Sequence, residues 1–265
     1  MDLPDAGRPL PEPPVPGEPP SLVELVRRGT LDAELAALVW LLIEGRIPVI
    51  VAAPDDVVER GTGGDILAGI LGSIRHDARV LANEVRAPLA VRDARAIVHG
   101  DQLGGVAAGD SLEAVRASLG RPPAGLTEDE LTFLGCVLVL GEGPPPEVAA
   151  ADPSMEPARP VRVVAAHYVR PLARDRHGHA QFLGPAVLAT WDPERQTWEH
   201  FAWGVLPEIA LRLGRRMGDL EADLHHRRDD LSGLATAGVT SLREVRQLIE
   251  GYRVAYGHAH GSAGH

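Results

Sequence analysis

A glycine-rich segment between a predicted strand and a predicted helix is the part of this sequence best suited to bind an anion. Its residues are Gly61, Thr62, Gly63, Gly64 and Asp65. Glycine lets backbone N–H groups turn toward a phosphate, and the N-terminus of the following helix adds a partial positive charge. The segment therefore indicates a site for the phosphates of ATP or ADP. The alternative is a tight strand-to-helix turn that binds no ligand.

Hydrolysis of ATP at such a loop requires two further side chains, and both are missing. A lysine must contact the β- and γ-phosphates, and a serine or threonine hydroxyl must hold Mg²⁺. Gly64 occupies the lysine position and Asp65 the hydroxyl position, and all 26 basic residues of the chain are arginine. We therefore expect no catalytic residues for phosphoryl transfer and, at most, weak binding of nucleotide at a vestigial site.

Carboxylates around the same loop oppose a polyphosphate. Asp55, Asp56 and Glu59 precede the glycines, and Arg60 is the only cation beside them. Each carboxylate within ~5 Å of a phosphate would cost on the order of 1 kcal/mol or more at intermediate dielectric. The local charge thus argues against a bound triphosphate.

The other residues capable of chemistry form no recognisable constellation. Cys136 is the only cysteine and lies in an apolar run, which predicts a buried thiol and excludes an internal disulfide. His177 and His179 could share a zinc ion with a third ligand, but a polar turn is the simpler interpretation. His225 and His226 are adjacent on a helix and point to different faces. We therefore expect no metal site.

Composition limits the partners and the location of the protein. The chain has 265 residues and a formal net charge of -11, with its arginines scattered among acids. Such a chain repels nucleic acid and anionic lipid. The longest apolar run, 35–53, is broken by charges and a proline, so no direct membrane insertion is expected. The first residues lack a positively charged leader, which favours a cytoplasmic protein.

The order of patterns predicts an α/β fold with additions. Strands alternating with helices in the first half indicate a parallel sheet with helices packed on it. The later segments alternate apolar and polar residues between turn signals, which is typical of an antiparallel β-meander, and helices close the chain. The predicted organisation is a disordered proline-rich tail at 1–20, an α/β core at 21–140, a flexible loop at 141–160, a β-meander at 161–204, a helical region at 205–256 and a disordered tail at 257–265.

Local signals predict where several elements begin and end. Thr30 is the expected cap of the second helix. The residues 54–64 are expected to form a loop, and 79–84 a further strand. Gly109 or Asp110 is the expected cap of the helix that ends near Leu119.

A capping box is predicted at Thr127-Glu-Asp-Glu130. It should begin a short helix ahead of the apolar strand 135–140.

Four segments, in this order, resemble the motor ATPases of type II/IV secretion systems, type IV pili and archaella. Residues 22–54 are similar to the helical lead-in and strand that precede the Walker A loop. Residues 103–140 resemble the His box, helix, proline connector, short helix and strand. Residues 190–201 resemble the meander, and 214–252 the closing helices, with "GLATAGVTSLREVRQLIEGYR" as the most specific stretch. The resemblance implies a RecA-like P-loop NTPase fold, shortened in the middle.

The positions at which this sequence differs from the family pattern are those that act on ATP in the family. Besides Gly64 and Asp65, the histidine of the His box is replaced by Ala108, although Asp110 and Ser111 remain. Glu84 occupies the place of an acidic residue after the second strand. Between Glu84 and Arg92 there is no room for a Walker B strand. Together with these losses, the resemblance implies a pseudo-ATPase, a protein that keeps the fold of the family but lacks its catalytic residues.

The resemblance also implies a role and partners. A degenerate motor relative is expected to serve as a structural or regulatory component of a secretion or pilus system. It would bind an active motor ATPase paralogue or a platform protein, and a homo-oligomer is a further possibility. Nucleotide binding without hydrolysis, an active ATPase with atypical motifs and an unrelated enzyme on the same scaffold are the alternatives.

Aromatic residues gather in one part of the sequence. Trp191, Trp198, Phe201 and Trp203 lie on or beside the predicted meander. They are expected either to form the core between the meander and the helices or to provide a surface for a partner, since aromatic side chains are enriched at interfaces.

Overall fold

The computed structural model describes residues 17–75, 89, 91–143, 159–174, 177 and 179–260. A six-stranded sheet with helices on both faces forms its centre. The helices are α1 (Leu22–Arg27), α2 (Ala33–Glu44), α3 (Asp55–Glu59), α4 (Thr62–Ile74), α5 (Val91–Val98), α6 (Leu112–Gly120), α7 (Glu128–Leu131), α8 (Leu206–Arg212), α9 (Met217–Thr236) and α10 (Leu242–His260).

The sheet combines a parallel half with an antiparallel half. Its strands are β1 (Val49–Ala53), β2 (Gly104–Ala108), β3 (Cys136–Glu142), β4 (Val161–Tyr168), β7 (Ala186–Asp192) and β8 (Thr197–His200), and a separate hairpin pairs β5 (Ala173–Arg174) with β6 (Ala180–Gln181). The strand order is β2-β1-β3-β4-β7-β8. Strand β1 pairs in parallel with both β2 and β3, whereas β4, β7 and β8 follow in antiparallel pairing. The α/β class, with a parallel sheet followed by a meander, is confirmed.

The apolar composition of β1 explains its central position. All five residues of the strand are buried, as expected for a parallel strand covered on both faces. Val49, Val51 and Ala53 contribute to the larger core, together with residues of α2, α4 and α9. Ile50 and Ala52 contribute to a smaller core formed with residues of α5, α6 and α7. The sheet therefore separates two hydrophobic cores.

Several predicted boundaries differ from the structure. The cap of α2 is Asp32, whose Oδ1 accepts a hydrogen bond from the backbone N–H of Leu35 at 2.9 Å, and not Thr30. Asp32 has the better position because the helix begins one residue later, at Ala33. Likewise Ser111, rather than Gly109 or Asp110, caps α6. The predicted loop 54–64 contains α3, because Val57 and Val58 are buried there.

The sequence also predicted a capping box, a C-terminal tail and a loop after the third strand. The capping box is confirmed, since Thr127 and Glu130 exchange both expected hydrogen bonds. Helix α10 continues to His260, so the predicted tail 257–265 was wrong for its first four residues. Strand β3 extends to Glu142, into the predicted loop 141–160. The predicted strand 79–84, residues 1–16 of the tail and most of the loop 141–160 lie outside the described residues.

Within the described ranges, none of the helices combines the length and the apolar character that a membrane crossing would require.

A partly buried ion pair joins the last strand to the beginning of α2. The Nε2 atom of His200 in β8 lies 2.7 Å from Oδ2 of Asp32, and its Nδ1 lies 3.8 Å from Oε1 of Glu34. Burial lowers the pKa of His200, but the hydrogen bond and charge of Asp32, with that of Glu34, outweigh burial and leave the pKa raised. The contact of His200 with Asp32, stronger when the imidazole is protonated, therefore holds the edge of the sheet against the N-terminus of α2.

We expect this pair to make stability depend on pH above neutrality. Because the pKa of His200 is higher in the folded chain, its contribution is complete below about pH 6.5 and is lost as the pH rises through the folded pKa. Urea unfolding at pH 6 and pH 8.5 should show a decrease of about 1 kcal/mol or less in the wild type. His200→Gln should remove this decrease, whereas His225→Gln, at an exposed site, should retain it. An unchanged decrease in His200→Gln would contradict the assignment.

Candidate functional site

The glycine segment lies where a phosphate-binding loop would be expected, at the carboxyl end of the central strand β1. After Ala53, the chain passes through Pro54 and α3 before it reaches Gly61. Gly61 has a φ of 77°, a left-handed conformation that favours glycine, and it directly precedes α4. Thr62 to Asp65 form the first turn of α4. The structure thus places all five predicted residues at one helix N-terminus.

The glycines of this turn allow close packing. A Cβ atom on Gly63 would lie 3.3 Å from Cγ1 of Val106 and 3.6 Å from Cγ1 of Val51. Helix α4 therefore approaches β1 and β2 more closely than a larger residue would allow. Gly64, at the position of the missing lysine, is buried. These contacts supply a structural reason for glycine that does not require a phosphate.

Helix α3 holds the acidic residues at the same end of the sheet. Asp55 and Asp56 form its first turn. Arg60, the cation beside the loop, pairs with Asp56 at 3.1 Å and also with Glu142 at the end of β3. The hydrogen bond that Arg60 donates to Glu142, opposed by a small loss of hydration, raises the pKa of Arg60. The cation nearest to the glycines is therefore already bound to two carboxylates.

Glu142 was not among the predicted site residues. It lies in the predicted loop 141–160, and only the register of the sheet brings the end of β3 beside the segment that follows β1. The apolar run that ends at Leu140 gave no signal that Glu142 would pair with Arg60.

The residues predicted as a remnant of the His box lie at the end of the neighbouring strand β2 and just after it. Ala108 is the last residue of β2 and pairs with Ala53, the last residue of β1. The hydroxyl of Ser111 accepts a hydrogen bond from the backbone N–H of Ala114 at 3.2 Å and donates to Oδ1 of Asp110 at 3.3 Å. The structure thus brings the glycine segment and the remnant to the same edge of the sheet. At this edge, Ser111 is the N-cap of α6.

The remaining candidates do not join this edge. Glu84 lies outside the described residues. The rings of His177 and His179 are 6.2 Å apart, on the segment between β5 and β6. Across the described part of the chain, no group of three or more histidine, cysteine or acidic residues is arranged to hold a metal ion. Burial raises the pKa of the Cys136 thiol to about 12, so it is unreactive near neutral pH.

The predicted aromatic group is divided between core and surface. Trp191 and Trp198 pack edge to face with ring centres 4.4 Å apart, and Nε1 of Trp198 donates to the carbonyl of Val163 at 2.9 Å. Phe201 and Trp203 are about half exposed, at 48% and 46%. The first two residues therefore stabilise the meander, and the last two contribute to its surface.

The most heavily charged buried site lies elsewhere, among α2, α9 and α10. It lies beside a cleft of about 500 Å³. Asp223 in α9 accepts hydrogen bonds from Arg215, from Nε and Nη2 of Arg227 and from the hydroxyl of Tyr252, at 2.5–3.1 Å. Four donors fill the lone-pair positions of one carboxylate. Asp223 was not among the predicted site residues, because acidic pairs on a helix are typical of a solvated face.

Arg227 links this carboxylate to a second one. Its Nη2 lies 2.6 Å from Oε2 of Glu44 at the end of α2, and its guanidinium lies 4.4 Å from the ring centre of Trp40. Glu44 also accepts hydrogen bonds from Nε1 of Trp40 at 2.8 Å and from Nε of Arg253 at 2.6 Å. The network therefore connects α2 with the two C-terminal helices α9 and α10, which are distant from it in sequence.

The pKa values show that the network is ionised. Burial raises the pKa of Asp223, but the hydrogen bond and charge of Arg227, with Tyr252 and Arg215, outweigh it and lower that pKa to about 2. Burial and the hydrogen bond to Asp223 raise the pKa of Tyr252. Tyr252 is therefore a neutral donor at physiological pH, and the cluster is an ion-pair network rather than an acid–base pair.

Comparison with known proteins shows no matching family model and no matching curated protein.

Proposed function

We propose that this chain is a catalytically degenerate relative of the motor ATPases of type II/IV secretion, type IV pili and archaella, with a shortened RecA-like core. In this proposal it is a structural or regulatory component of such a system. One observation carries it. The central strand β1 is flanked by two parallel strands and is followed by α3, the glycine segment and α4, and Gly64, at the expected lysine position, is buried. This layout resembles that of a phosphate-binding unit without the groups that act on phosphate.

The electrostatics of the same edge support the absence of catalysis. Phosphoryl transfer depends on cations that neutralise charge developing on the phosphate oxygens. Arg60 is bound to Asp56 and Glu142, and Asp55 and Asp65 add further negative charge to the same segment. A triphosphate placed there would meet carboxylates where a motor ATPase presents a lysine and Mg²⁺.

A scaffold without turnover is proposed to act by binding. Motor ATPases of this family work as assemblies, so the partners proposed are an active motor ATPase paralogue, a platform protein of the same system or further copies of this chain. Light scattering of the purified protein, alone and mixed with a motor ATPase from the same genome, tests these partners directly. A complex with the motor is the expected result, and separate elution at micromolar concentrations would contradict it.

We expect the purified protein to show no ATP turnover with Mg²⁺. Calorimetry with ATP and ADP should show either no heat or weak binding, with Kd above about 0.1 mM, because no lysine contacts the phosphates. The decisive variant is Gly63→Val, which fills the contact between α4 and the sheet. Turnover in the wild type that disappears in Gly63→Val would overturn the proposal. Tight ADP binding without turnover would instead support a nucleotide-binding relative that does not hydrolyse.

A further inference from the structure

We draw no further inference here: the strongest candidate, the cleft of about 500 Å³ among α2, α9 and α10, is lined by the arginines and carboxylates of the ion-pair network already described, which bind one another, and nothing in the described part of the chain shows what would occupy it.

Discussion

Replacing Arg227 with methionine is expected to lower the free energy of unfolding by about 3 kcal/mol. The Arg227 side chain is only 6% exposed and pairs with both Asp223 and Glu44, at 2.8 Å and 2.6 Å. Methionine would keep contact with the rings of Trp40 and Tyr252 but would leave two buried carboxylates short of a partner. The loss of stability is moderated because Arg215 still pairs with Asp223 and Arg253 still pairs with Glu44. Urea unfolding followed by circular dichroism measures the change.

The neighbouring residue provides the control for this prediction. Arg228→Met removes an exposed pair with Asp229 and should change stability by less than about 0.5 kcal/mol. Arg227→Lys should fall between the two, because lysine keeps the charge but cannot form the paired hydrogen bonds to Asp223. A loss in Arg227→Met no larger than in Arg228→Met would show that the network contributes no stability.

The same network determines how the protein responds to acid. The pKa of Asp223 is about 2 in the folded chain. Because it is lowered relative to the unfolded chain, its contribution is complete above about pH 4 and is lost as the pH falls toward 2. The stability of the wild type should therefore fall through this range, and that of Asp223→Asn should fall less.

Placing a lysine at position 64, where the proposed relation to motor ATPases would have one, is expected to destabilise the protein without creating an ATPase. Gly64 is buried in the first turn of α4, beside Gly63, which lies against Val51 and Val106. A lysine at this buried position would have to displace neighbouring atoms or bury its charge. The free energy of unfolding should therefore fall by about 2–4 kcal/mol. The N-terminus of α4 also disfavours a cation.

Thr62→Lys is the matched control, since Thr62 lies on the same helical turn and is only partly buried. It should change stability by less than about 1 kcal/mol. Both variants are measured by urea unfolding and by ATP turnover with Mg²⁺. A Gly64→Lys protein that is as stable as Thr62→Lys and hydrolyses ATP would show that the scaffold lacks only its lysine.

Local signals predicted many elements correctly because the forces that form them are local. The strand predicted ahead of the glycine segment is the fully buried strand β1, and Thr127 and Glu130 formed their capping box within four residues of each other. Errors arose where two neighbouring residues competed for one role. Asp32 replaced Thr30 as a cap, and α3 formed inside a predicted loop because tertiary packing buries Val57 and Val58.

The site was predictable only in part. The alternation of strands and helices predicted the parallel strands that precede the glycine segment and Asp110–Ser111, and the structure shows that these strands are neighbours. The pairing of Arg60 with Glu142 was not predictable, because it depends on sheet register across 82 positions of sequence. The same holds for His200 and Asp32, which are 168 positions apart.

By itself, the sequence determined the α/β class, the central strand and the absence of a lysine. The last of these excludes ordinary P-loop chemistry in any conformation of the chain. Only the tertiary structure decided that Gly64 is buried, that Arg60 is bound by carboxylates, and that Asp223 and Arg227 lie in a buried network. Residue identity limits what chemistry is available, whereas burial and charge pairing depend on which distant residues share one place in the fold.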